Sequence, residues 1–178
     1  MTAESPDVVE RARERTMGVA FALAGSSMLA ASLVVADVVM RVRFASHVPA
    51  TSRPPMEAAV AVTALLVLTN LGFGTVAAKR NAERSLRRWG AWAAIVLGLC
   101  AAAVEFRAGL ALFRAPARDV FGAIGAALLA WHGLHQTIAA VATVRALPRG
   151  PSAFAAPALL WNFAAFAWIV LAAVLWVL

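Results

Sequence analysis

Five apolar runs, each long enough to cross a bilayer, leave this chain few folds to choose from. They cover 17–40, 56–78, 89–112, 120–144 and 154–178. A helix needs about 20 apolar residues to span roughly 30 Å of hydrocarbon, and every run meets that length. Buried backbone in lipid must satisfy its own hydrogen bonds, so such runs are helices. The expected fold class is therefore all-α, a polytopic membrane bundle of five transmembrane helices. With 62% hydrophobic and 14% charged residues, the composition agrees. Nearly all of the 178 residues lie in spans, which leaves no room for a separate soluble domain.

The net charge of +7 invites a nucleic-acid reading, which the placement of the charges rejects. The sixteen Lys and Arg sit in short connections between apolar runs rather than on one basic face. Nucleic acid is accordingly not an expected partner. Arg11, Arg13 and Arg15, then Lys79, Arg80, Arg84, Arg87 and Arg88, then Arg145 and Arg149 fall on one side. Arg41, Arg43, Arg53, Arg107, Arg114 and Arg118 fall on the other. The excess predicts a cytoplasmic N-terminus and an outside C-terminus. Residues 1–16 read as a polar cytoplasmic tail, and the run after them is too long for a cleaved signal peptide. The short connection around 79–88 makes the second and third helices antiparallel neighbours. The single Cys100 rules out a disulfide framework.

Inside the fourth run stands Trp131-His132-Gly133-Leu134-His135-Gln136. His132 and His135 are three apart and share a helix face. An ionisable side chain in the membrane faces protein or water rather than lipid, so each imidazole calls for a partner. Gly133 leaves the backbone uncovered where a neighbouring helix could come close.

This stretch resembles the Gly-Phe-His-Gly-Leu-His-Val run of subunit III of the haem-copper oxidases, the cytochrome c oxidase subunit 3 family. Other segments resemble the family in the same order. Val104-Glu105-Phe106 is similar to its Tyr-Glu-Tyr, and Pro54-Pro55 and Arg87-Arg88-Trp89 look like its short bacterial members. Trp161-Asn162-Phe163-Ala164-Ala165-Phe166-Ala167-Trp168 is similar to its Trp-His-Phe-Val-Asp-Val-Val-Trp. The departures are specific. Ser27 stands where members carry an intramembrane Glu, and Asn162 and Ala165 replace the last-span His and Asp.

The resemblance implies a divergent, short five-helix form in the bacterial inner (cytoplasmic) membrane. Its role would be that of a non-catalytic subunit that stabilises the catalytic subunit of a terminal oxidase, binds phospholipids and supports proton uptake. Ser27 puts the proton role in question. Haem and copper are expected in the partner subunit and not in this chain. The residues agree, because only His132 and His135 are intramembrane and no second helix offers a His (His47 is in a loop). The alternatives are a similar component of a nitric oxide reductase or a stand-alone transporter. A transporter would be expected to show repeats or broken helices near the midplane. No enzyme signature is present: no phosphate-binding loop, nucleophile–base pair or zinc-type spacing.

The candidate helix-contact or lipid-contact residues are His132, His135, Glu105, Trp161, Asn162 and Trp168. Glu105 is expected to snorkel to the outer interface beside Arg107 rather than serve as a proton or lipid-contact carboxylate, and it need not be level with His132. Asp37 and Arg41 read as an interfacial i, i+4 ion pair, and Trp89, Trp92 and Trp176 as interfacial anchors. Trp161 and Trp168, seven apart, share a face that suits packing on a neighbour. Asn70 and Asn162 are expected to hydrogen-bond between helices. Lys79, Arg80, Arg84, Arg87 and Arg88 are candidates for binding anionic headgroups.

Overall fold

The computed structural model describes residues 6–44, 53–78, 83–114, 119–149 and 151–177. Among them are five α-helices and no strand: α1 Pro6–Arg43, α2 Met56–Ala78, α3 Arg84–Arg114, α4 Val120–Ala146 and α5 Ala155–Ala172. A 3-10 turn over Pro151–Phe154 leads into α5, and a π-helical segment, Ala173–Val177, follows it.

Four of these helices contain a stretch long and apolar enough to cross a membrane: Arg13–Arg43, Met56–Gly74, Ser85–Arg114 and Pro151–Trp176. The exception is α4, which at 27 residues has the length but not the apolarity. His132, His135 and Gln136 lower its hydropathy, and all three are buried inside the bundle.

Two boundaries move from where the apolar runs placed them. The polar tail is helical from Pro6, so α1 reaches 38 residues, about 57 Å of rod. Proline at the first helical position with Asp7 in the first turn gives it a well-formed start. The other is the start of α3, which lies at Arg84, five residues before Trp89, while its end passes 112 only as far as Arg114. Asp119 begins α4 by accepting the Gly122 N–H at 2.6 Å, so one otherwise orphaned backbone donor is satisfied.

Small residues set the packing. A side chain at Gly72 would approach Gly90 O, which makes α2 and α3 an antiparallel hairpin, as the short connection predicts. Between α3 and α4, Gly109 meets Ala126, while Gly133 meets Phe106 and the Ala102 carbonyl. The close approach expected at Gly133 is thus made by α3. Pairings of Thr143 with Trp161 and of His132 with Ala164 run α5 antiparallel to α4. Ser26 with His135, and Arg41 with Phe121, do the same for α1 against α4. Thr63 with Trp168 and Pro54 with Trp176 set α2 antiparallel to α5. The helices therefore alternate in direction, and the start of α1 and the end of α5 lie at opposite ends of the bundle. Outward faces are apolar: Phe21, Met28, Phe166 and Ile169 are at least 67% exposed. In a bilayer such faces meet lipid.

Candidate functional site

The centre of the bundle is polar, and α4 carries most of it. His132 on α4 faces Glu105 on α3, with Nδ1 2.8 Å from Oε1 and 2.9 Å from Oε2. Its Nε2 lies 2.8 Å from the Ala164 carbonyl of α5. One helical turn on, Gln136 donates from Nε2 to Glu105 Oε1 at 2.8 Å. His132, Gln136 and Glu105 are at most 1% exposed. One imidazole thus joins three helices.

This corrects the expectation that Glu105 snorkels outward. Nine residues separate Glu105 from the end of α3, about 14 Å of helix, and twelve separate His132 from the start of α4, about 18 Å. Since the two helices are antiparallel, the side chains are level to within a few ångströms. Arg107 looked like the marker of the interface, but it lies exposed on a different face of α3.

The hydrogen bonds fix how many protons the pair holds. A carbonyl only accepts, so His132 Nε2 carries a hydrogen and donates to Ala164. Nδ1 and the carboxylate then need one further proton between them, or two acceptors would face each other at 2.8 Å. Whether drawn as imidazolium with carboxylate or imidazole with carboxylic acid, the pair is neutral overall. That neutrality lets two ionisable groups sit dry inside the bundle, where a lone charge would cost several kcal/mol, about what the effective burial penalty of one ion amounts to. Gln136 Oε1 is the atom of this cluster with no partner among the described residues.

A second cluster joins α4 to α1. His135 Nδ1 donates to the Trp131 carbonyl of its own helix at 2.8 Å, which leaves Nε2 to accept from the Ser26 hydroxyl at 2.9 Å. Ser26 Oγ in turn accepts from Trp131 Nε1 at 2.9 Å. Phe163 closes over the group, its ring 5.5 Å from His135 and 5.9 Å from Trp131. Every polar atom of this ring is used, so His135 is fully bonded. Nothing in the sequence marked Ser26 as a partner of His135. Its neighbour Ser27 donates back to the Leu23 carbonyl of α1.

The tryptophans of α5 are both buried, as their seven-residue spacing suggested. Trp161 donates to Thr143 Oγ1 at 3.0 Å, and its indole fills the space beside Gly98 of α3. Trp168 donates to Thr63 Oγ1 of α2 at 2.8 Å and stacks 5.4 Å from His132. Trp176 is an internal clamp and not an anchor: it donates to the Pro54 carbonyl and packs on Trp168. Trp89 and Trp92 are exposed near the start of α3, where anchors belong.

The asparagines do not bridge helices. Asn70 donates to the Leu66 carbonyl of its own helix, and Asn162 lies exposed on α5. Asp37 and Arg41 do pair, at 2.7 Å, but both are buried and not at an open interface. The Arg41 guanidinium lies 5.7 Å from the centre of the Phe121 ring, a cation–π contact that partly compensates its burial. Of the expected headgroup cluster, Lys79 and Arg80 lie outside the described residues, and Arg84 opens α3. Arg87 and Arg88 line a small hollow with Arg149 and Phe154.

No set of three or more His, Cys, Asp or Glu suited to a metal ion occurs among the described residues. Both nitrogens of both α4 histidines are engaged in hydrogen bonds. Their chemistry here is to tie helices together.

No protein-family model matches this chain, and no curated protein does, so its likeness to subunit III stands on the quoted residues alone. Among the described residues the protein is all-helical, with four helices long and apolar enough to cross a membrane and a set of polar side chains buried between them.

Proposed function

We propose that this chain is a non-catalytic integral-membrane subunit of the subunit III type, packed beside the catalytic subunit of a haem-copper terminal oxidase. All five helices cross the membrane in this reading, α4 included, with the N-terminus in the cytoplasm of a bacterial cell. Haem and copper belong to the partner, and phospholipids fill the outer faces. Support for α4 as a fifth span comes from its length and from the inward placement of its polar residues, which spares lipid any contact with them.

The observation that carries the proposal is the use made of the intramembrane polar groups. Glu105, His132 and Gln136 join α3, α4 and α5, and Ser26, Trp131 and His135 join α1 to α4. Groups committed to neighbours on every side hold a scaffold and leave little for chemistry. The resemblance supplies the kind of complex.

One observation favours a transporter as a second reading. A carboxylate and an imidazole sharing a proton inside a membrane are what a proton-coupled carrier needs. Against it, neither the hollow beside Arg145 nor the one beside Arg87 is lined by Glu105 or His132.

Purification of the tagged protein from its own membranes in mild detergent tests the proposal. The expected eluate contains a large polytopic partner and shows haem absorbance. Replacing His132 by Leu is expected to weaken retention of that partner without altering the haem spectrum. A colourless eluate of this chain alone would contradict the subunit reading and direct attention to transport.

A further inference from the structure

Asn162 on α5 is exposed and has no hydrogen bond among the described residues. Other uncharged polar side chains of the helices are satisfied within the chain. Ser27, Ser32, Thr63, Thr69 and Thr137 each donate to the carbonyl four residues back, and Asn70 does the same. Gln136 and Ser26 bond across helices. Asn162 does neither, although it stands far from both ends of its apolar stretch. It lies eleven residues beyond Pro151 and fourteen before Trp176, roughly 16 and 21 Å along the helix. The Ala164 carbonyl that accepts from His132 is two residues on, so the amide is level with the polar centre of the bundle. Lipid at that depth offers no hydrogen bond, and a primary amide there is satisfied by another helix.

The face around the amide has the spacing of a helix-pairing seam. Ala155, Asn162, Phe166, Ile169 and Ala173 are exposed, and half-buried Leu159 fills the gap between the first two. The stripe thus steps by four and three in alternation, the pattern on which two helices wind at a shallow left-handed angle. Phe166 and Ile169, one and two turns beyond the amide, are each 67% exposed. A second copy of this chain meets the demand with nothing added. A primary amide both donates and accepts, so two Asn162 side chains can satisfy each other. Every copy inserts the same way, so a two-fold axis along the membrane normal brings each residue opposite itself at its own depth. Any other partner would have to bring a polar group to this level independently. One amide in an apolar seam also fixes the register, because sliding by a turn strands both amides in lipid.

We propose that two copies of this chain pair in the membrane through α5, with the two Asn162 amides hydrogen-bonded to each other across the axis. Phe166 and Ile169, which meet lipid in the single chain, pack against their counterparts in the pair. Both helices then run parallel, and the Glu105–His132 centre of each copy lies one helix behind the seam. The inference rests on the membrane-embedded reading of the fold, but not on the identity of any other subunit, which would pack on a different face.

The test places the full-length protein, labelled with donor and acceptor fluorophores, in phosphatidylcholine bilayers and follows energy transfer as protein is diluted into lipid. A monomer–dimer curve is expected. Asn162→Leu should weaken pairing by about tenfold, whereas Asn162→Gln, which keeps donor and acceptor, should stay within about threefold of the natural protein. Because Asn162 bonds nothing in its own chain, neither change should alter the melting of the diluted monomer. Cross-linking in the protein's own membranes locates the contact, since a disulfide needs Cα atoms within about 7 Å. In a Cys100→Ser background, which removes the single cysteine, Asn162→Cys and Ile169→Cys are expected to give covalent pairs of this chain. Val96→Cys, on the outward face of α3, is expected to give none. Monomers at every dilution would overturn the proposal, as would equal losses for Leu and Gln or no loss for Leu. So would cross-linking at Val96→Cys as strong as at Asn162→Cys, or a link from position 162 to a different protein. A failed membrane reading looks different: such a protein would stay in solution without detergent and enter no bilayer.

Discussion

Replacing Glu105 by Gln is expected to leave the bundle nearly as stable as the natural protein, whereas Glu105→Ala should lower its stability by about 3–5 kcal/mol. The difference follows from the protons. A Gln amide at 105 would donate to His132 Nδ1 and accept from Gln136 Nε2, so every partner of the carboxyl group stays bonded. The site would also remain neutral, as it is now. Alanine leaves a void at fully buried positions, with His132 Nδ1 and the Gln136 amide, 3.1 Å apart, left only each other. His132→Leu should cost a similar amount, because it strands Glu105 and removes the donor to the Ala164 carbonyl. Thermal melts in detergent, followed by the loss of the monodisperse peak, read these differences. A melting temperature lowered by roughly 10 °C corresponds to the larger value if the scaling for soluble domains is carried over. Equal losses for Gln and Ala would show that the ionised carboxylate itself is required.

Gly98→Ala is expected to be the most damaging single methyl in the protein. A Cβ at Gly98 would sit 2.6 Å from Trp161 Cζ3 and closer still to Cη2. Trp161 is fully buried and its Nε1 is tied to Thr143, so the ring has nowhere to turn. Overpacking of this kind costs about 1–3 kcal/mol, and here the upper end is expected. Trp161→Phe removes the far edge of the indole and should rescue the variant in part. The double variant is therefore expected to be more stable than the sum of the two single losses. A melt of Gly98→Ala indistinguishable from the natural protein would contradict this account of how α3, α4 and α5 pack. Glycine here serves close approach, as small residues do where membrane helices meet.

Much of the architecture was legible because the bilayer leaves few choices. The apolar runs locate α2, α4 and α5 closely, and the charges between them mark the connections. The helical tail was less visible, since Glu10, Arg11, Arg13, Glu14 and Arg15 look the same in a solvated coil as on an exposed helix. Pro6 followed by Asp7 was the available signal for its start. His132 and His135 announced themselves as charges in an apolar run, but their partners did not. Ser26 is a small residue with no periodic mark, and Glu105 stood beside Arg107, whose charge suggested an interface. Which face each residue takes depends on the rotation of α3 against α4, and a single chain's hydropathy carries no record of that angle. The match of Gly98 to Trp161 is longer in range still, and Asn162 shows the converse error. A polar residue within a span reads as a bridge, yet it lies outward on α5.

Glu105 and His132 act as one unit, sharing a proton and holding three helices together. A double-mutant cycle measures this most directly: Glu105→Ala, His132→Leu and the two combined, each melted in the same detergent. The double variant is expected to be no less stable than the worse of the two singles, so the coupling should equal at least the smaller single loss, about 3–5 kcal/mol. Losses that simply add would contradict it, for they would mean that each residue holds the bundle without the other.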